Sequence, residues 1–315
     1  LLAVAWTDLI QGILMIGTLV ILPLVGLVEL SSFDQGIAEL LVFDDENKNS
    51  LFAGLTGLSA LSVALGGMSW GLGYFGQPHL LIRYMAIKSV SDIKKAKWIA
   101  ALWAIPGISG AFMVGIIAAG YFGEEFFIGK DTEIAMPLLA ETLLPAWVAG
   151  LLISGAVAAM MSTADSQLLV STSAISEDLG LNKIIKTAQS DKLMNTRYIT
   201  IILGLFAYVT AMYSEYSGDT IFGIVSFAWS GLGSSFGPAI ILSLWWDKTT
   251  RQGIIAGLLT GSLVTVIWGS SDYLQSLVTE RLISFILAFF AVIIVSKITK
   301  KDKVVKIELE TKTPI

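Results

Sequence analysis

Runs of about 20 apolar residues recur along the whole chain, separated by short polar breaks, and each run matches the length an α-helix needs to cross a bilayer. The breaks predict eight spans near residues 3–29, 54–78, 98–121, 145–174, 198–213, 221–246, 253–269 and 281–298. Transmembrane β-strands are about half as long and alternate in polarity, so the periodicity favours helices. With 55% of residues apolar and 14% charged, a chain of 315 residues could not clothe itself with a polar surface. The fold class predicted is an all-α integral membrane protein.

Charge supplies an orientation, because cytoplasmic loops retain Lys and Arg. Placing the C-terminus inside and alternating the spans puts seventeen of the 20 basic residues on the cytoplasmic side, the tail from Lys297 onward among them. Lys48, Lys130 and Arg281 alone fall outside, and the outer loops are acidic ("FDDEN", "GEEFF"). The expected location is the plasma membrane of a bacterium, multi-pass, with a cytoplasmic C-terminus and no nucleic-acid partner. Leu1 opens directly in an apolar run, which predicts that a preceding part of the protein is missing. With no cysteine and one histidine, His79, neither a thiolate metal site nor an H-E-x-x-H protease motif can form within this sequence.

The stretch "WGLGYFGQPH" contains Gly71, Gly73 and Gly76 in the G-x-G-x-x-G pattern of a dinucleotide turn, with Asp92 about 20 residues on. The context excludes that reading: the glycines end a membrane span, and Asp92 sits in the loop "SVSDIKKAKW" with no strand ahead of it. What remains is a span rich in helix breakers, tolerated in a membrane only where it packs in protein or lines a cavity. Gly66 and Gly67 read as packing positions. Trp70, Tyr74 and Pro78, spaced i, i+4, i+8, predict one face with two polar-tipped rings, a wall for a small organic solute.

A second polar cluster interrupts the fourth span, where Ala159, Ser162, Thr163 and Ser166 follow i, i+3, i+4, i+7 spacing. Hydroxyls and a backbone carbonyl on one stripe supply oxygen ligands for a hard cation such as sodium, although membrane hydroxyls also bond to their own backbone or join helices. The carboxylates Asp165 and Asp8 fall within apolar spans, which marks each as a functional candidate.

Four motifs, "AVAWTDLIQGILM", "WGLGYFGQPHLLIRYMAIKS", "SGAVAAMMSTADSQLLVSTSAISEDL" and "VSFAWSGLGSSFGPAIILSLWWDKTTRQGIIAGLLTG", resemble the sodium/solute symporter family, and within it the proline-transporting type. The resemblance implies two inverted five-helix repeats with broken helices at the bilayer midplane. It maps residues 1–30 onto the last helix of the first repeat and 51–246 onto the second repeat. Residues 251–298 become accessory helices and 299–315 a cytoplasmic tail, while the absent N-terminal half would supply further ligands. It implies a sodium ion held by the Ala159 carbonyl and the Ser162 and Thr163 hydroxyls. A second sodium falls to Asp8, Ser162 and Ser166, and substrate, proline or a similar small solute, to Trp70, Tyr74 and Pro78. Sodium-coupled import is the expected function. The rivals are a sensor-kinase input domain, another amino acid, betaine-like osmolyte or carboxylate as cargo, and a membrane enzyme, for which no nucleophile and base pair is evident.

Overall fold

The computed structural model describes residues 2–33, 50, 52, 54–123, 132–179, 189–217 and 220–299. Among these the regular structure is helical throughout. The helices are α1 (Leu2–Leu30), α2 (Gly57–Gly73), α3 (Pro78–Met85), α4 (Val90–Phe122), α5 (Ala135–Leu143), α6 (Ala146–Ser173), α7 (Gln189–Ser217), α8 (Ile221–Trp245), α9 (Arg251–Gly269), α10 (Asp272–Leu277) and α11 (Glu280–Ile298). Seven of them, α1, α4, α6, α7, α8, α9 and α11, are long and apolar enough to cross a membrane. They coincide with seven of the eight expected spans. Large apolar side chains stand exposed along them, for example Ile13, Leu102 and Phe206, as expected of surfaces facing lipid rather than water.

The remaining expected span, near 54–78, is occupied by a helix that is broken before the span ends. Its helix α2 ends at Gly73, a 3-10 turn covers Tyr74–Gly76, Gln77 is extended (φ −79°, ψ 110°), and α3 starts at Pro78. Proline suits the first helical position, where its missing N–H would be unpaired in any case. The single face expected to join Trp70, Tyr74 and Pro78 therefore ends at Tyr74, because the break changes the direction of the backbone between the second and third residues. The outer-loop lysines Lys48 and Lys130, the loop lysines Lys183 and Lys186, and the tail from residue 300 lie outside the described residues.

The chain divides into two compact units. In the first, residues 1–55 and 78–221, α1 packs along α4 and α6 through small residues. A Cβ on Gly110 of α4 would collide with the Leu19 backbone, and one on Gly155 of α6 with Thr18. Thr18 Oγ1 uses that proximity to donate to the Leu152 carbonyl at 2.9 Å. Leu22, Leu30, Val114, Ile117, Leu139 and Leu152 close the apolar core beneath. Helix α4 is capped at its start by the Ser89 hydroxyl, which accepts from Asp92 N–H, and at its end by Gly123 in a positive-φ conformation (φ 76°).

In the second unit, residues 56–77 and 222–315, α9 lies along α11, with Gly253 and Gly257 against Ser296 and Val292. The Thr250 hydroxyl caps α9 by accepting from Gly253 N–H at 3.1 Å. Helix α2 meets α8 where Gly73 faces Gly233 and Gly76 faces the Leu232 carbonyl, so close that a Cβ at any of the three would overlap its neighbour. Of the glycines read from sequence as packing positions, Gly66 packs against the Thr279 methyl, whereas Gly67 meets nothing within 4 Å among the described residues. The packing glycines of this span are Gly66, Gly73 and Gly76.

Candidate functional site

On α6 the hydroxyls of Ser162 and Thr163 both turn back to the Ala159 carbonyl, at 2.9 and 3.3 Å. Three oxygens thus gather on one patch of helix. A helical carbonyl keeps a second lone pair, and each hydroxyl keeps acceptor capacity while donating. The spacing i, i+3, i+4 expected to align these residues does so.

One turn further along α6, Ser166 is buried and donates to the Ser162 carbonyl at 2.9 Å. Its oxygen accepts from Arg83 Nη2 of α3 at 2.6 Å. The same nitrogen lies 2.6 Å from Asp8 Oδ2 on α1. Three helices therefore meet through one guanidinium nitrogen. The other carboxylate oxygen, Asp8 Oδ1, is buried and has no hydrogen-bond partner among the described residues, as is true of Gln11 Oε1 on the same helix. Two cavities flank the pair. One, of about 280 Å³, is lined by Asp8, His79, Arg83, Ala86 and Ser166 with apolar neighbours; the other, of about 330 Å³, by Asp8, Gly12, Arg83, Trp103 and Ser162. Trp103 Nε1 donates to the Gly12 carbonyl at 3.2 Å and fixes the far wall of the second.

The second unit holds the aromatic residues. Trp229 of α8 stands edge-on to Tyr74, ring centroids 4.8 Å apart, and donates its indole N–H to the Trp70 carbonyl at 3.1 Å. Phe222 packs against Trp70 at 5.5 Å. The Arg281 guanidinium lies over the Trp70 ring at 4.7 Å, a favourable cation–π placement, and is held by Ser69, Ser226 and Glu280. At the end of α2 the buried Gln77 turns its amide back, donating to the Gly73 carbonyl at 3.3 Å and to the Trp229 carbonyl of α8 at 3.5 Å.

The structure thus brings Asp8, Ser162 and Ser166 together, gathers Ala159, Ser162 and Thr163, and sets Trp70 beside Tyr74's aromatic partner. Pro78 opens α3 in the first unit, whereas Trp70 and Tyr74 belong to the second. Sequence reasoning missed the parts played by Arg83, Trp229, Gln77 and Arg281. Arg83 reads as one more positive flank of a span, and Trp229 as an ordinary apolar position; only their partners reveal them. Asp165 lies on α6, one residue before Ser166.

Seven apolar helices, a span broken at a glycine-rich turn, and buried polar groups at the contact of three helices define a multi-pass membrane protein of the broken-helix kind. The chain belongs to the sodium:solute symporter family, whose model matches residues 1–261. It is 36% identical over 297 residues to the high-affinity proline transporter PutP of Bacillus subtilis (strain 168), which covers 93% of this chain and 61% of that protein. It is 35% identical over 301 residues to the osmoregulated proline transporter OpuE of the same organism, 95% of this chain and 60% of that one. With the sodium/proline symporter of Escherichia coli (strain K12) it shares 34% identity over 304 residues, 95% of this chain and 59% of the relative. The chain spans about three-fifths of the length of these relatives.

Proposed function

We propose that the protein imports L-proline, driven by sodium, through alternating access. The observation that carries this reading is the match to the symporter family over residues 1–261, which takes in every residue named above as a candidate ligand. The relatives' names specify proline and, in Escherichia coli, sodium. They favour a transporter over a sensor input domain or an enzyme.

In this reading sodium enters from outside and is held by the Ala159 carbonyl and the hydroxyls of Ser162 and Thr163. Both hydroxyls rotate their lone pairs outward at little cost, since each gives up only a local bond to its own helix. A second sodium takes Asp8, Ser162 and Ser166, whose carboxylate supplies the charge that neutral oxygens lack. Proline packs its ring against Trp70 and Tyr74, beside the break that ends α2. By linkage, sodium raises proline affinity by the factor that proline raises sodium affinity. Each inward positive charge draws about 2.3 kcal/mol from every 100 mV of membrane potential. The distribution of basic residues supports a cytoplasmic start for α1 and a cytoplasmic end for α11, with the broken segment of α2 counted as the second of eight crossings.

The test is uptake of labelled proline into proteoliposomes holding the transporter that carries this chain, with and without a sodium gradient. Sodium-dependent accumulation blocked by excess unlabelled proline is expected. Accumulation blocked instead by a betaine or another amino acid would move the substrate, and flux indifferent to sodium would overturn the coupling.

A further inference from the structure

We infer that the Arg83 guanidinium is a tethered cation that takes the sodium position between Asp8 and Ser166, so that side chain and ion occupy it in turn. The inference rests on the reading of Asp8 and Ser166 as sodium ligands, and it adds a competitor that neither the family match nor the relatives' names assign.

The geometry is that of one cation and two oxygen ligands. Arg83 Nη2 lies 2.6 Å from Asp8 Oδ2 and 2.6 Å from Ser166 Oγ. Since Ser166 already donates its hydroxyl proton to the Ser162 carbonyl, what it offers Arg83 is a lone pair, the same lone pair a metal ion would take. A sodium ion bound by these two atoms would fall where the guanidinium nitrogen is. Two positive charges that close repel, so one leaves when the other arrives.

Which partner moves follows from exposure. The Asp8 side chain is 13% exposed and fixed on α1, whereas Arg83 is 45% exposed at the end of a long flexible stem. The two flanking cavities, about 280 and 330 Å³, share Asp8 and Arg83 in their walls and give the guanidinium room on either side. Asp8 Oδ1, buried and without a hydrogen-bond partner among the described residues, is free to accept a cation. A plain structural ion pair would be expected to satisfy both carboxylate oxygens.

The arm weakens sodium binding and, by the same cycle, eases sodium release, because Asp8 is re-paired as the ion departs rather than left bare. Removing the arm should reverse both effects. In proteoliposomes holding the transporter that carries this chain, the rate of labelled proline uptake against external sodium should give R83Q a half-saturation about tenfold lower than wild type, equivalent to about 1.4 kcal/mol, with a lower maximal rate. R83K, which keeps the charge, should stay near wild type, and D8N should raise the half-saturation. A merely structural Arg83 would give R83Q weaker sodium dependence, and that result, or an unchanged half-saturation while D8N shifts, overturns the tethered cation and leaves the sodium reading of Asp8 intact. No shift in D8N overturns that reading, and the tethered cation with it.

A second measurement does not depend on proline or on R83Q folding. This sequence contains no cysteine, so in the transporter that carries it, with any cysteines elsewhere replaced, Ala86→Cys places one thiol in the wall of the smaller cavity. With Arg83 intact, sodium but not choline at equal ionic strength should change its rate of alkylation, and the effect should vanish when D8N is added. Equal rates in sodium and choline overturn the inference; a sodium effect that survives D8N does so too.

Discussion

Trp229 donates its indole N–H to the Trp70 carbonyl at 3.1 Å while its ring stands edge-on to Tyr74 at 4.8 Å. One side chain of α8 therefore fixes both the backbone and the ring geometry of the proposed substrate wall. Gly73 makes this possible, since a Cβ there would overlap the indole itself.

Trp229→Phe keeps an aromatic ring beside Tyr74 but removes the indole N–H together with part of the ring. A net hydrogen bond contributes about 1 kcal/mol, so the proline half-saturation should rise about fivefold. Uptake kinetics at saturating sodium check this, with the sodium half-saturation measured at saturating proline expected to stay unchanged.

Ser162→Ala and Thr163→Ala each remove a hydroxyl that bonds to the Ala159 carbonyl of its own helix. Thermal stability of the purified protein should change little, because that carbonyl keeps its helical hydrogen bond. The sodium half-saturation should rise about tenfold or more, the scale of a lost bond to a charged partner. A loss of stability without a change in sodium dependence would count against the ion site.

Gly110→Val forces a side chain into the Leu19 backbone, where α1 and α4 touch. Overpacking at such a contact costs about 1–3 kcal/mol and displaces α1, which carries Asp8. Gly115→Val, on the same helix with nothing within 4 Å, should be close to neutral. Melting temperatures in one detergent compare the two.

The loop that joins α8 to α9 contains the exposed Asp247. If the basic residues report the cytoplasmic side, Asp247→Cys should react with a membrane-impermeant thiol reagent in inside-out vesicles and be protected in right-side-out ones. The opposite pattern would reverse the orientation of every span.

The order and placement of the membrane helices were legible in the sequence, since a lipid environment demands about 20 apolar residues per crossing and leaves few alternatives. Seven expected spans match observed helices for that reason. The stripe of Ala159, Ser162 and Thr163 was legible as well, because helical spacing is a local property of the backbone. The second span was not: propensity warned of a break within "WGLGYFGQPH", yet periodicity extended a single face through Pro78, and only the turn at Tyr74–Gly76 with Gln77 folded back shows where direction changes.

Partnership between distant residues is what the tertiary structure alone decided. Asp8 and Arg83 are 75 positions apart in the chain, and Trp70 and Trp229 are 159. Charge and ring give each residue its chemistry, but the contact of α1 with α4 and α6 and that of α2 with α8 decide which partner it meets. Those contacts depend on small residues at Gly110, Gly155, Gly73 and Gly233, whose role as points of close approach is visible only when the facing helix is in place.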